Sequence, residues 1–154
     1  TGKIKMSSVA LQYLFSTDRV LHNNDVIIPA LKAGKIVISD RCFWSGVVYG
    51  ILDRTGNYDS EIRSFLYISQ SILSMYHQFI APDFTFVLSV SLETAFTRIS
   101  KKDDRIEIYE DREKLKQVIK GYDWLTKQFP KEITVVDGEG EVGKVTKEII
   151  KKLT

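Results

Sequence analysis

Apolar residues follow two alternating patterns along the chain. In some segments they recur at the three- to four-residue spacing of an amphipathic helix. The helices predicted from this spacing cover residues 9–20, 25–32, 45–52, 59–80, 92–99, 114–129 and 142–153. In shorter runs the apolar residues are continuous, as in a strand that is buried on both faces. The strands predicted from these runs cover residues 36–38, 84–90 and 133–136.

Apolar strands that alternate with helices are typical of a parallel α/β sheet with helices on both faces. Ligands of such sheets bind outside the carboxyl ends of the strands. Candidate chemistry is therefore expected at residues 40–41, 89–91 and 137–138. Local signals refine the helices: Ser7 or Ser8 should cap the first, Pro29 should kink or restart the second, and Gly34 should end it.

The composition is that of one soluble globular domain. The chain has 154 residues, of which 44% are hydrophobic and 27% are charged. This balance excludes a disordered tail, a collagen-like repeat and a disulfide-stapled mini-protein. A net charge of +2 and a pI of about 8.6 suit a small anionic substrate, and nucleic acid is not an expected partner.

Cysteine and histidine usage indicates a reducing compartment and no structural zinc. Cys42 is the single cysteine, so no intrachain disulfide can form. His22 and His77 are far apart in sequence, with no cysteine at zinc-ligand spacing. No apolar run reaches the length of a membrane span, and the first residues lack a signal-peptide pattern. We therefore expect a cytoplasmic protein with no membrane partner.

The segment after the first predicted strand carries the clearest candidate chemistry. Asp40 follows the run 36–38, and in phosphoryl-transfer enzymes such a carboxylate holds magnesium directly or through water. Arg41 beside it is suited to clamp a phosphate with two hydrogen bonds. The alternative is that Asp40 only ends the strand or caps the next helix.

Other side chains suit a nucleotide as well as plainer roles. Phe15 and Arg19 are four residues apart and share one helix face. There the aromatic ring could stack on a base and the arginine could hydrogen-bond the edge of that base. The alternative is that Phe15 is a core residue and Arg19 a surface charge. The charged run 100–112 is either a solvated loop or a mobile lid that brings an arginine to a triphosphate. The glycines at 138–143 do not match a phosphate-binding loop, so a turn that touches a base through its backbone is preferred.

Five segments, in this order along nearly the whole chain, resemble the thymidylate kinase family. They are LFSTDR at 14–19, DRCFWSGVVY at 40–49, PDFTFVL at 82–88, DRIE at 104–107 and VVDG at 135–138. Each motif is weak alone, but five in sequence are specific. The resemblance implies a single α/β domain over residues 1–154, a three-layer sandwich with a parallel sheet of the P-loop kinase type, and a lid at about 100–112. It implies transfer of the γ-phosphoryl group of ATP to dTMP with Mg²⁺, and it suggests a homodimer.

The resemblance also implies roles for individual residues. Phe15 would stack on thymine and Arg19 would hydrogen-bond its edge. Arg41 would hold the dTMP phosphate, and Asp40 would lie near magnesium, through water. The nucleoside pocket would be lined by Ser45, Gly46 and Tyr49. Arg98 would pack on adenine, the backbone of Gly138 and Glu139 would contact the same base, and Arg105 would reach the transferring phosphate.

Two departures from the family pattern shape the expectations. Cys42 stands where the family has an aromatic residue, which affects the shape of the dTMP site. The family's first strand, its G-x-x-x-x-G-K-[ST] loop and the following helix have no counterpart in these residues. We therefore expect the first strands of the sheet to be absent, residues 1–154 to be roughly the C-terminal three quarters of a longer kinase, and these residues alone to be inactive. The alternatives are a kinase of another nucleotide or nucleoside, or a non-catalytic nucleotide-binding module that lacks the P-loop.

Overall fold

The structure is a computed structural model that describes residues 6–58, 62–76, 79–100 and 112–153. The chain divides into two compact units, Thr1–Ala81 and Pro82–Thr154. The described residues combine helices with a small parallel sheet, which confirms the α/β class. The single domain over residues 1–154 stays a prediction, and the three-layer arrangement is not confirmed.

The first unit is helical in its described part. Its elements are α1 (Ser8–His22), a π-helical turn (Asn23–Ile27), α2 (Ile28–Lys32), α3 (Phe43–Thr55) and α4 (Ile62–Ser74). Ser7 caps α1 as predicted, because its Oγ accepts a hydrogen bond of 3.2 Å from the Ala10 N–H. Pro29 lies in the first turn of α2, so the helix restarts there as predicted. Gly34 follows α2 with a φ of 71°, a left-handed conformation that favours glycine.

The core of the first unit is built around α3. Val47, Val48 and Ile51 on this helix are completely buried. Phe65 and Ile72 on α4 are buried as well, and α3 packs against both α1 and α4. The predicted long helix over 59–80 is observed only as Ile62–Ser74, since a turn follows at residues 75–76, and residues 59–61 and 77–78 lie outside the described part.

Helix α1 has the reverse of the expected polarity. The apolar residues at 9–20 were expected to form its covered face, but the residues it buries are polar: Gln12 and Ser16, followed by Asn23 at the start of the π-helical turn. Tyr13, Leu14 and other apolar side chains of α1 are exposed instead. The polar residues share one stripe because their spacing of three to four residues matches the helical repeat. Helix α1 therefore presents hydrogen-bonding groups, rather than a hydrophobic stripe, to the interior of its unit.

The prediction of a buried strand at 36–38 is wrong. Residues 35–39 have no regular secondary structure, and Ile36 and Ile38 are 91% and 93% exposed. A β-branched run has strand propensity, but a strand also needs a neighbour for its backbone groups and a layer to cover its side chains. Neither is present for this segment within the described residues. The candidate residues Asp40 and Arg41 consequently follow an irregular segment and not a strand of the sheet.

In its described residues, the second unit contains the sheet and three helices. Its elements are β1 (Phe86–Ser89), α5 (Leu92–Ser100), α6 (Arg112–Gln128), β2 (Thr134–Asp137) and α7 (Val142–Leu153). The strands are parallel, with Phe86 opposite Thr134 and Ser89 opposite Asp137. Parallel strands need a crossover connection, and here α5 and α6 lie in the connection. All five elements were predicted with ends that differ by no more than a few residues.

The core of the second unit combines α6, β2 and α7. Leu115, Val118 and Leu125 on α6 are buried, as are Val136 on β2 and Val145 on α7. The charged run that was predicted to be a loop or lid falls mainly on residues 101–111, outside the described part. None of the helices in the described part is both long and apolar enough to cross a membrane.

Gly50 provides a test of the α1–α3–α4 packing. A Cβ at this position would lie 2.4 Å from Ile72 Cδ1 and 3.2 Å from Gln12 Cδ, inside a filled core. Gly50→Ala should therefore destabilise the protein by about 1–3 kcal/mol, since overpacking outweighs the gain in helix propensity. Urea unfolding followed by circular dichroism measures the change.

The matched control is Gly143→Ala in α7, where a Cβ would have no neighbour within 4 Å. That change should stabilise the protein by about 0.5–1 kcal/mol, because alanine is the better helix former. Equal effects of the two substitutions would contradict the packing described for Gly50.

Candidate functional site

In the first unit, Arg19 lies at the centre of a group of buried polar side chains. Its guanidinium carbon is 5.8 Å from the centroid of the Tyr76 ring. Within the described part of the chain, its buried Nη1 atom and the buried Tyr76 hydroxyl each have no hydrogen-bond partner. Buried polar groups are normally paired in folded proteins. An arginine and a tyrosine with buried, unused hydrogen-bonding capacity are therefore candidates for binding a polar ligand.

Gly46 allows these two side chains to approach α3 closely. A Cβ at Gly46 would lie 3.2 Å from the Tyr76 hydroxyl and 3.7 Å from Arg19 Nη1. Burial raises the pKa of Tyr76, and the nearby Arg19 charge offsets this only partly. The phenol consequently keeps its proton at neutral pH and can both donate and accept. The structure thus brings Arg19 and Gly46 together, as the sequence predicted, and adds Tyr76.

Phe15 and Arg19 lie on α1 at the predicted four-residue spacing. Phe15 is 53% exposed, whereas Arg19 is half-buried. An exposed aromatic ring is accessible for stacking on a base. The joint role of the two residues in base recognition stays a prediction.

Arg41 is held in an unusual backbone conformation at the start of α3. Its φ is 76°, in the left-handed region, where a side chain with a Cβ is strained. The Ser39 hydroxyl donates a hydrogen bond of 2.7 Å to the Arg41 carbonyl, which supports this geometry. Arg41 Nη1 donates a hydrogen bond of 2.8 Å to the Tyr49 hydroxyl, and the guanidinium lies 5.3 Å from the Tyr49 ring centroid. A strained residue with a positioned cation is a common sign of a functional site.

The other candidates in this unit differ in exposure. Ser45 is buried in the first turn of α3, where its N–H donates to the Cys42 carbonyl over 3.1 Å, and Asp40 is exposed. Burial raises the pKa of the Cys42 thiol, and a hydrogen bond with the Trp44 backbone and the Arg19 charge lower it by less. Cys42 therefore lacks the thiolate character of a nucleophile.

Asp40 is the only residue predicted to lie near a metal. The described residues contain no cluster of three or more His, Cys, Asp or Glu side chains that could enclose a metal ion. A single carboxylate is nevertheless compatible with Mg²⁺, which keeps several waters and takes other oxygen ligands from substrate phosphates. Asp40 therefore fits an ion that is bound mainly by a nucleotide.

In the second unit, Arg98 is tied to the end of β2. Its Nη1 donates to the Gly138 carbonyl over 2.8 Å and its Nη2 donates to the Glu139 carbonyl over 3.1 Å. The sequence predicted that these three residues lie together, and the structure brings them together. A Cβ at Gly138 would lie 2.9 Å from Val90 Cγ1 and 3.1 Å from the Ser89 carbonyl oxygen, so this close approach requires glycine.

Glu139 connects the same turn to the N-terminus of α5. Its carboxylate accepts hydrogen bonds from the Ser91 N–H and from the Thr94 hydroxyl, the latter 2.6 Å long. Ser91 also caps α5, because its Oγ accepts from the Thr94 N–H over 3.2 Å. A negative charge at a helix N-terminus is stabilised by the helix dipole. The loop after β2 is thereby fixed beside Arg98.

A shallow pocket of about 300 Å³ lies next to Arg98, lined by Glu93, Thr94, Thr97 and Arg98 itself. Because the guanidinium donates in its own plane to backbone carbonyls, its flat face remains suitable for stacking on a base. Arg105, the remaining predicted residue, lies outside the described part.

Sequence reasoning missed Tyr76 and Thr94. Tyr76 was assigned to the apolar face of the predicted helix 59–80, and no local signal distinguishes a tyrosine whose hydroxyl faces a pocket from a core residue. Thr94 follows the helix cap Ser91 by three residues. That spacing indicates an N-terminal turn, but not its bond to Glu139.

Comparison with known proteins identifies what the chain is similar to. Residues 1–149 match the profile of a family described as thymidylate kinase. A thymidylate kinase from Prochlorococcus marinus strain NATL1A is 33% identical over 148 residues, which cover 95% of this chain and 66% of the relative. A thymidylate kinase from Thermoanaerobacter sp. strain X514 is 34% identical over 146 residues, covering 94% and 68%.

A third relative gives the same result. A thymidylate kinase from Sulfurihydrogenibium sp. strain YO3AOP1 is 30% identical over 149 residues, covering 97% of this chain and 69% of the relative. The chain thus spans about two thirds of the length of the curated relatives it matches.

The Glu139 contacts predict a dependence of stability on pH. Hydrogen bonds from Thr94 and Ser91 lower the pKa of the Glu139 carboxyl below its ordinary value of 4.5. Its stabilising effect should be complete above that value and should be lost as the pH falls through the lowered pKa, because protonation removes the acceptor charge. The Glu139→Gln variant should unfold at lower urea concentration than the unmodified protein at pH 7.

The difference between the two proteins should shrink as the pH falls below 4.5. The control is Glu141→Gln, a change two residues along the same turn, at a position that is also exposed. A Glu139 effect that is constant from pH 7 to pH 3 would contradict the assignment.

Proposed function

Because the chain belongs to the thymidylate kinase family, we propose that the protein transfers the γ-phosphoryl group of ATP to dTMP, giving ADP and dTDP. The family match over residues 1–149 carries this proposal. A phosphate oxygen of dTMP forms the new bond to the γ-phosphorus while the bond from that phosphorus to the β–γ bridging oxygen breaks. The three relatives described above are all thymidylate kinases, so neither a kinase of another base nor a non-catalytic module is favoured.

The first unit would bind dTMP. Arg19 would hydrogen-bond the thymine edge, which its buried Nη1 without a partner in the described residues supports. Phe15 would stack on the base, and its exposure supports this role. Ser45, Gly46 and Tyr49 would line the nucleoside pocket along one side of α3, and the closeness of Gly46 to the Arg19 guanidinium supports this.

Charge neutralisation would come from the start of α3. Phosphoryl transfer needs little covalent chemistry from the protein and depends on alignment and charge compensation. Arg41 would hold the dTMP phosphate, and its fixed geometry against Tyr49 supports a positioning role. Asp40 would hold Mg²⁺ through water, and the ion would compensate phosphate charge when bound. Arg105 would contact the transferring phosphate.

The second unit would bind the adenine of ATP. Arg98 would pack on the base with its guanidinium face, and the backbone of Gly138 and Glu139 would contact the base edge. The hydrogen bonds that hold these three residues together support a shared role. The pocket of about 300 Å³ beside Arg98 supports the same assignment.

The finer architecture would be the three-layer sandwich of P-loop kinases. The parallel pairing of β1 and β2 with helices in the crossover supports it. The exposed β-branched segment 36–38 supports it too, because its residue types are suited to pair with a further strand. We place the enzyme in the cytoplasm, in keeping with its one unpaired cysteine.

The test of the proposed phosphate site is Arg41→Gly in the intact protein. Glycine removes the guanidinium while it adopts the observed φ of 76° without a Cβ penalty. Turnover in a coupled ADP-release assay with dTMP and Mg²⁺ should fall about 100-fold or more, the usual effect of losing a positioned donor. The melting temperature should stay the same or rise.

The control is Arg54→Gly, near the end of α3, where an exposed arginine is lost from the same helix. That variant should keep normal turnover per folded molecule. Near-normal turnover of Arg41→Gly, or lower stability with normal turnover, would place Arg41 in a structural role.

The homodimer is proposed through the exposed face of α1. Tyr13, Leu14 and Leu21 are 61%, 52% and 57% exposed, and Leu14 and Leu21 are two helical turns apart on one face. Such an apolar face is typical of a surface that another subunit covers. The double variant Leu14→Glu, Leu21→Glu should sediment as a monomer while the unmodified intact protein sediments as a dimer.

The control substitution Ile150→Glu, at a position on α7 that is 54% exposed, should leave the dimer intact. A monomeric unmodified protein, or a double variant that remains dimeric, would rule out this interface.

A further inference from the structure

Helix α5 is tied at both of its ends to the turn 138–140 that follows β2. At the C-terminal end, Arg98 donates to the Gly138 carbonyl over 2.8 Å and to the Glu139 carbonyl over 3.1 Å. At the N-terminal end, the Glu139 carboxylate accepts hydrogen bonds from the Ser91 N–H and from the Thr94 hydroxyl. Glu139 thus takes part in both contacts, through its backbone at one end of the helix and through its side chain at the other.

The hydroxyl protons of Ser91 and Thr94 are used in a fixed order along this contact. An ionised carboxylate only accepts, so the bond of 2.6 Å between Thr94 Oγ1 and Glu139 Oε2 uses the Thr94 proton. The Ser91 hydroxyl, 3.0 Å from Thr94 Oγ1, then donates to Thr94. Because a hydrogen bond to a charged acceptor is stronger than a neutral one, Thr94 makes the main side-chain contribution to this contact.

The turn depends on the contact because its backbone has little restraint of its own. Glu139 lies between Gly138 and Gly140, and glycine has the widest range of backbone conformations. The Asp137 carboxylate accepts from the Glu139 N–H over 2.9 Å, which ties the start of the turn to β2. The Glu139 side chain ties the same residue to the first turn of α5. Without that bond, the carbonyls to which Arg98 donates would have a wider choice of orientations.

The orientation of the Arg98 guanidinium follows from those carbonyls. The group is planar and donates in its own plane, so the directions of the Gly138 and Glu139 carbonyls set that plane. The face of the plane is the surface on which the adenine ring would stack. A change at Thr94 is therefore transmitted to Arg98 through Glu139, without contact between the Thr94 hydroxyl and the base.

We propose that the Thr94 hydroxyl and the Glu139 carboxylate form a positioning pair, which holds Arg98 and the turn 138–140 in the orientation that binds the adenine of ATP. The inference rests on the proposed function, since it takes adenine to be the base that stacks on Arg98. The pair acts on the fraction of molecules whose turn is ready to bind. As that fraction falls, the apparent dissociation constant for ATP rises in proportion.

The experiment compares ATP with inorganic tripolyphosphate, which has the phosphate chain but no base, on the intact protein with Mg²⁺. Calorimetry gives the ratio of the two dissociation constants, which measures the contribution of the nucleoside. Thr94→Val replaces the hydroxyl by a methyl group and should reduce the preference for ATP about fivefold, the effect of one hydrogen bond. Thr94→Ser keeps the hydroxyl and should keep the ratio of the unmodified protein.

Kinetics distinguish a positioning role from a general loss of structure. In Thr94→Val the KM for ATP should rise about fivefold, because fewer molecules have the turn ready to bind. The KM for dTMP and the kcat at saturating ATP should stay unchanged, since saturating ATP selects the ready conformation. The control is Thr146→Val, the same change at an exposed position on α7, which should leave the ratio and both KM values unchanged.

A double variant tests whether Thr94 acts through Glu139. Glu139→Ala removes the acceptor and should lower the preference for ATP at least as much as Thr94→Val does. Adding Thr94→Val to Glu139→Ala should change the ratio no further, because the hydroxyl has lost the group through which it acts. Effects that add in the double variant would show that Thr94 contacts the base directly, and the positioning pair would be wrong.

The remaining outcomes separate the two levels of the proposal. If the unmodified protein binds ATP no more tightly than tripolyphosphate, the adenine site of the proposed function fails and the positioning pair fails with it. If it prefers ATP but the ratio is the same in Thr94→Val, the function stands and only the positioning pair is wrong. A lower melting temperature with an unchanged ratio would assign the Thr94–Glu139 bond to stability alone.

Discussion

The close approach of α1 to α3 is the constraint on which the first unit depends. Two glycines one helical turn apart on α3, Gly46 and Gly50, lie against the polar stripe of α1 and against Tyr76 and Ile72. At Gly50 the space is filled, so the glycine serves packing. At Gly46 a Cβ would lie 3.2 Å from the Tyr76 hydroxyl and 3.7 Å from Arg19 Nη1, so this glycine lets polar groups approach the helix. The two glycines thus bring an apolar and a polar contact onto one face of α3, a single turn apart.

The two units differ in whether the polar side chains of their candidate sites already form hydrogen bonds within the chain. In the second unit, the hydrogen-bonding capacity of Arg98 and Glu139 is directed to the chain itself, to backbone carbonyls and to the first turn of α5. A base bound there meets a rigid surface and is recognised through stacking and the backbone. In the first unit, Arg19 and Tyr76 keep buried hydrogen-bonding capacity unused within the described residues. A ligand there replaces hydrogen bonds to water.

Much of the fold follows from the sequence, and the exceptions have physical causes. The strands β1 and β2 and the helices α5, α6 and α7 are predictable because the spacing of their apolar residues is regular. The family resemblance also implied that Arg98, Gly138 and Glu139 lie around one base. The prediction of a strand at 36–38 was wrong because a strand needs a neighbouring strand to pair with, and local propensity does not supply one. The burial of polar residues on α1 was not predicted, because arguments from periodicity assign the apolar face of a helix to the interior.

Details of the candidate site were predictable only in part. The family resemblance placed Arg19 and Gly46 in one site, and the structure has them close together. The left-handed backbone of Arg41 was not predictable, because a positive φ at a non-glycine residue is imposed by surrounding contacts such as that of Ser39. Tyr76 was not identified from the sequence, because an aromatic residue in a helical pattern of apolar positions is assigned to the core.

The exposed segment 36–38 has a consequence for how the chain behaves at high concentration. Extended β-branched residues can template cross-β pairing between molecules, and aggregation-prone windows usually span five to seven uncharged residues. Here the apolar run is confined to three, with Lys35 immediately before it and Asp40 and Arg41 soon after. Charged residues at these flanks act as gatekeepers, because stacking copies in register would bring like charges together. The charged flanking residues thereby limit fibril growth, although the apolar segment itself is exposed.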